Sequence, residues 1–242
     1  MLFLLRKIRR KLISTDNKFL SYLLYAIGEI LLVVVGILIA VQIDNANNHS
    51  KERAKERVLI EEIHAEFELN RAQFDTLEEN LFAAYNSMKW ILDATPINDV
   101  SILNYDSLYH HFKNTISYSR TFKPSQSTIR SLVSTSSFEY ISNRKLRELL
   151  IQWPDVLLNF QNAENELQEY RKTIMIPYVM KNMGLKKFYR DHEFNPSFME
   201  TEMFANQMWT LYYRYELLCE LSTIAQVDEM IDRIVDLTAN TK

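Results

Sequence analysis

The stretch YLLYAIGEILLVVVGILIAVQI, residues 22–43, decides how this chain is read. One charge interrupts it, Glu29, and a polar Gln42 stands near its end. A helix needs about 20 apolar residues to cross the hydrocarbon core of a bilayer. This run meets that length and no other run in the sequence does, so a single transmembrane helix is expected close to the N-terminus. It separates a basic amphipathic segment (1–21) from a C-terminal domain (44–242).

The flanks suggest an orientation. Residues 1–21 carry Arg6, Lys7, Arg9, Arg10, Lys11 and Lys18 against Asp16. From Asp44 onward, 22 basic residues stand against 29 acidic ones. Basic residues before a span are retained on the cytoplasmic side. The expected placement is the bacterial inner membrane, single-pass, with the N-terminus cytoplasmic and the C-terminal domain periplasmic. Lys51, Arg53, Lys55 and Arg57 follow the span and weaken the bias without reversing it. A cleaved signal peptide fits less well, because the apolar run exceeds the usual length of about 7–15 residues and no A-x-A site follows. Within 1–13, Leu5, Ile8, Leu12 and Ile13 gather near one side, the pattern of a short helix lying on an anionic lipid face.

Inside the span, Glu29, Val33, Gly36, Ala40 and Ile43 recur at steps of 4, 3, 4 and 3, and so share one face. Gly36 and Ala40 form a small-x-x-x-small pair that lets another helix approach closely. A carboxyl group facing lipid is costly, so the Glu29 side should face protein or water. Glu29, Val33, Gly36 and Ala40 are therefore the candidate packing face toward a second copy or another envelope protein.

These residues also carry a resemblance. YAIGEI at 25–30, GILIA at 36–40, Gln42 and Asn45 resemble the YAIGEIxLVVxGILIAxQI signature of an uncharacterised family of small single-pass membrane proteins from Bacteroidota. Asp44 and Ala46 depart from the family's usual Asn and Trp. The likeness is specific over about the first 45 residues and loose beyond them. It implies a membrane protein with a helical C-terminal domain, and it supplies no catalytic residues.

The rest of the chain reads as helices. Only Gly184 lies outside the span among three glycines, so few turns needing positive φ are available. That argues against sandwiches and nucleotide-binding α/β folds. Hydrophobic residues make up 47%, enough for a core. Residues 44–57 contain neither Gly nor Pro and should carry the membrane helix onward. Ile60, Ile63, Phe67, Asn70, Phe74, Leu77, Leu81, Ala84, Met88 and Ile91 then hold a heptad seam, which ends at Thr95-Pro96. Asn70, polar within it, is a candidate register-setting residue. Shorter helices are expected over Tyr105–Ile116 and Gln126–Val133, with a possible N-cap at Pro124-Ser125. Asn143 reads as the N-cap of a long helix with a stripe from Leu146 through Trp153, Phe160 and Leu167 to Ile174. Pro154 should kink or split that helix, Pro177 bend it again, and Gly184 end it as a positive-φ cap. A last helix is expected from about Phe198 or Thr201 to Leu237. The expected fold is all-α: a transmembrane helix followed by an antiparallel helical bundle of long heptad-patterned helices.

Chemistry is sparse. Glu61-x-x-His64 is one Glu-x-x-His pair, whereas a carboxylate-bridged di-metal bundle needs two. His110-His111 are adjacent on a helix and point apart. Asp191-His192-Glu193 stand in a row on a loop. There is no G-x-S-x-G, H-E-x-x-H or C-x-x-C, and Cys219 is alone and expected to be buried and inert. No catalytic residue, metal or cofactor is expected, and the acidic domain does not favour nucleic acid. The one unusual cluster is Trp209, Tyr212, Tyr213 and Arg214, aromatics around a guanidinium that form a candidate pocket for a small anion or aromatic ligand. The leading expectation is a membrane-anchored interaction or scaffold protein, contacting lipid and either itself or another envelope protein. The alternative is a periplasmic ligand-sensing domain that signals through a partner.

Overall fold

A computed structural model of the chain describes residues 18–94, 99–118, 120–219 and 223–239. The basic segment expected over 1–13 lies outside them, as do Thr95-Pro96 and Leu221. The helices are α1 (Lys18–Asp93), α2 (Tyr105–Ser117), α3 (Ser127–Ser134), α4 (Arg144–Tyr170), α5 (Ile176–Asn182), α6 (Leu185–Asp191), α7 (Glu202–Cys219) and α8 (Thr223–Ala239). No strand occurs among the described residues. The chain divides into two units, Met1–Lys55 and Glu56–Lys242.

In the first unit the early part of α1 is long and apolar enough to cross a membrane, and its most apolar window has nothing buried. The helix continues through 44–57, as the lack of Gly and Pro there predicts.

In the second unit every member of the 60–91 seam is buried, from Ile60 to Ile91. Its partners belong to the same domain. Phe67 meets Trp153 edge-on at 5.1 Å, and Phe74 meets Phe160 at 5.7 Å. The same 86-residue offset recurs where Glu56 accepts hydrogen bonds from the Ser142 N–H and hydroxyl. A constant offset means that α1 and α4 run parallel, and the chain between them travels back to make this possible. The last rod runs the other way. Tyr85 stacks on Tyr212, Arg71 pairs with Asp228 and Asp232, and His64 bonds Thr238, so later residues meet earlier ones. The seam is thus consumed by the domain's own core and offers nothing to a second copy.

Three local expectations change. Pro154 does not split α4, and its ring lies on the exposed side. The break comes later, as a π-turn over Arg171–Met175 in which the Ile176 N–H reaches back to the Arg171 carbonyl. Pro177 then falls in the first turn of α5, where a missing N–H costs little. The wider turn also shifts the stripe by one residue: Ile174 is 45% exposed and Met175 fully buried. Gly184 is no positive-φ cap. Its φ is −81°, at the start of α6. The chain leaves α5 through an extended Met183, and among the described residues the left-handed positions are Ser136 and His192.

Asn70 has a different task from setting register between chains. Its amide brackets Ser125, donating to the carbonyl at 2.9 Å and accepting from the N–H at 2.8 Å. Glu66, one turn earlier, caps α3, accepting from the Thr128 N–H and from the Ser127 and Thr128 hydroxyls. The expected Pro124-Ser125 cap is therefore supplied from α1. Asn70→Ala should cost about 2 kcal/mol, since two backbone groups lose their partner. Urea unfolding of the purified chain measures this, and a change under about 0.5 kcal/mol would deny Asn70 that role.

Candidate functional site

The span residues come first. Glu29, Val33, Gly36 and Ala40 lie on one continuous helix, at spacings that keep them on one side of it. Val33 is 57% exposed, and a side chain built on Gly36 would meet nothing within 4 Å. The face is open to a close neighbour.

The four residues of the aromatic cluster on α7 separate. Trp209 is 63% exposed and Tyr213 52%. Trp209 lies 5.8 Å from Tyr212, which stacks on Tyr85 at 5.6 Å and donates to Glu216. Arg214 sits five residues beyond Trp209, well round the helix, and stacks over Tyr170 on α4 at 4.9 Å. Trp209 and Tyr212 are brought together, while Arg214 serves a different contact. The anion pocket imagined around the guanidinium is not assembled from these side chains.

The histidines find structural partners. His64 bonds the Thr238 hydroxyl at 3.0 Å, and no group of three or more metal-ligating side chains occurs among the described residues. His111 stacks on Trp90 at 4.4 Å and meets the Ser87 hydroxyl at 3.2 Å. Ser87 is buried and also receives the Asn114 amide, which ties it into helix packing. Burial, then neighbouring His110, hold the His111 pKa below its usual value. His192, in its left-handed conformation, contacts the Tyr109 hydroxyl at 2.7 Å. Beside it an open groove of about 470 Å³ is lined by Tyr105, Met183, Lys187, Glu193 and Phe194, among others.

The most unusual chemistry lies along the apolar stripe of α4 and the π-turn that follows it. Glu164 is 1% exposed and Arg171 3%. Each stands four residues past a core residue, Phe160 and Leu167, so each falls on the buried side. That spacing is the available signal, and a stripe drawn through Phe160, Leu167 and Ile174 passes both positions by. Arg171, within the π-turn, donates to the carbonyls of Thr115 and Ile116 at 2.6 and 2.8 Å and to the Tyr215 hydroxyl. The carbonyls are at the C-terminal end of α2, where the helix dipole favours a cation. Its guanidinium also lies over the Tyr118 ring, 5.9 Å away. The Thr115 and Tyr118 hydroxyls beside it are buried and have no hydrogen-bond partner. Both Glu164 oxygens share one donor, the Phe122 N–H, at 3.1 and 3.0 Å. Burial pushes the Glu164 carboxyl up to about 7, against the pull of the Phe122 amide and Lys123. Burial, then the Glu164 charge, raises the Tyr118 phenol.

The molecule is thus an all-helical bundle whose first helix begins with an apolar stretch of membrane-spanning length, and whose buried Glu66, Glu164 and Arg171 each hold backbone. Set against protein-family models, curated proteins and solved structures, the chain finds no match in any of the three.

Proposed function

We propose that this protein is a membrane-anchored scaffold of the bacterial envelope, acting through protein–protein contact and not through catalysis. The observation that carries the reading is the apolar, uncovered stretch 22–43 of α1, which needs lipid around most of its surface and leaves one small-residue face for a neighbour. The basic 1–21 segment supports a cytoplasmic N-terminus with the bundle in the periplasm. The resemblance of 25–45 to the Bacteroidota signature supports the same assignment. Because the 60–91 seam is filled internally, association rests on the span face.

In-cell crosslinking of the intact chain tests this. A stable homo-oligomer or a specific envelope partner is expected, and monomer alone without a partner would end the proposal. Gly36→Leu should lower the crosslinked fraction roughly tenfold, equivalent to about 1.4 kcal/mol. The same change leaves the folding of residues 56–242 unaltered by circular dichroism. A reporter fused at the C-terminus that worked only in the cytoplasm would reverse the orientation.

A second reading, a small-ligand sensing domain that signals through a partner membrane protein, is favoured by the groove beside His192. Its volume falls within the range of about 300–1,000 Å³ seen for ligand sites. Native mass spectrometry of freshly extracted protein would reveal a retained small molecule.

A further inference from the structure

Residues 120–126 run from the loop after α2 to the start of α3 without regular structure, yet they are held down along their length. Gln168 donates to the Arg120 carbonyl and Gln161 to the Phe122 carbonyl. Asn70 brackets Ser125 from the other side. These three holders are neutral amides. The fourth is Glu164, whose two oxygens share the Phe122 N–H. Phe122 is 2% exposed and its ring packs between Phe74 at 4.9 Å and Phe160 at 6.0 Å. The segment is a strap across an apolar slot, and an acid is one of its fasteners.

The surroundings give that acid little help when it is charged. Lys123, on the strap, is exposed. Tyr118 lies before the strap, with Tyr215 and Cys219 of α7 adjoining it, and Arg171 stands seven residues further along the same rod. Arg171 spends its donors on Thr115, Ile116 and Tyr215. From α1 the strap faces Asn70 and Phe74. A charged carboxylate here has one amide donor and a protein wall, and the cheapest relief is to reach water.

We propose that residues 120–126 form a proton-operated strap: when Glu164 gives up its proton to solvent, the Phe122 fastening lets go and the slot between Phe74 and Phe160 opens. The strap is closed with Glu164 neutral and loosened with it charged. The sense follows from burial: a carboxylate 1% exposed with a single shared donor costs more charged than neutral, and this outweighs the preference of the Phe122 amide for the charged form. Between the ordinary carboxyl value of 4.5 and about 7, the folded chain holds a proton that the unfolded chain has released. Stability therefore falls as pH rises across that window and levels off above it. The device is independent of which partner the span face selects.

Hydrogen–deuterium exchange on the full-length protein in lipid nanodiscs tests it. Protection of the peptide carrying Phe122, corrected for the intrinsic pH dependence of exchange, is followed from pH 5.5 to 8.5. Wild type should lose protection by at least about tenfold across the window, with a midpoint near 7. Glu164→Gln, which stays neutral, should remain protected throughout. Asn70→Ala should lower protection equally at every pH. Wild-type protection that does not change with pH would overturn the proposal, and so would an unchanged midpoint in Glu164→Gln. If that variant does not fold, the wild-type profile decides alone.

Discussion

Arg171→Ala should bring the bundle close to unfolding. Three acceptors lose their donor: the carbonyls of Thr115 and Ile116 and the Tyr215 hydroxyl. Each buried polar group left unpaired costs about 1–3 kcal/mol, and the vacated volume adds to that. Water entering the gap recovers part of it, so a net loss of about 3–5 kcal/mol is expected, against a total stability of about 5–15 kcal/mol for a typical domain. The measurement is thermal unfolding of the purified chain. Arg171→Lys separates charge from geometry. An ammonium keeps the positive charge at the end of α2 but cannot fork between two carbonyls, so an intermediate loss is expected. A lysine variant as stable as wild type would mean that charge alone matters.

Leu31→Arg combined with Val34→Arg should largely remove the protein from the membrane fraction. Both positions lie near the middle of 22–43 and away from the Glu29–Ala40 side. An arginine at the centre of a membrane helix raises the insertion free energy by about 3 kcal/mol. Two of them outweigh several leucines. Fractionation after carbonate washing reads the result directly. Conservative changes at the same sites, Leu31→Val and Val34→Leu, should leave the protein in the pellet. Retention of the double arginine variant in washed membranes would mean that the chain is held by something other than this helix.

The fold was legible where apolar residues recur with a helical period. The 60–91 seam and the stripe from Leu146 to Leu167 are core, and Asn143 caps α4 with its side chain on the Leu146 N–H. What escaped was anything that depends on a partner distant in sequence. Nothing near Glu66 announces that it caps a helix sixty residues later. Asn70 looked like a register device because its neighbours are apolar, and its actual partner is a loop. The π-turn was unreadable because one residue of slack appears in three dimensions, not in spacing; the mismatch at Ile174 is its only trace. The candidate site was legible in part. The span face follows from arithmetic along one helix. The cluster on α7 was judged by residue type, whereas the direction around the helix decides contact, and Arg214 points to Tyr170. Glu164 and Arg171 were overlooked because a charge on an apolar stripe is easily assigned to the stripe's edge.

The parallel pairing of α1 with α4 has a consequence for how the chain is made. A hairpin can close as soon as its second arm emerges, but α1 must wait for a partner encoded 86 residues downstream. Its Arg71 waits longer still, for Asp228 and Asp232 near the end. Until then a row of phenylalanines and isoleucines is synthesised with nothing to cover it. Non-local closure of this kind is slow and prone to sticking. Until the later rods emerge, that apolar row stands open to contacts other than its own partners.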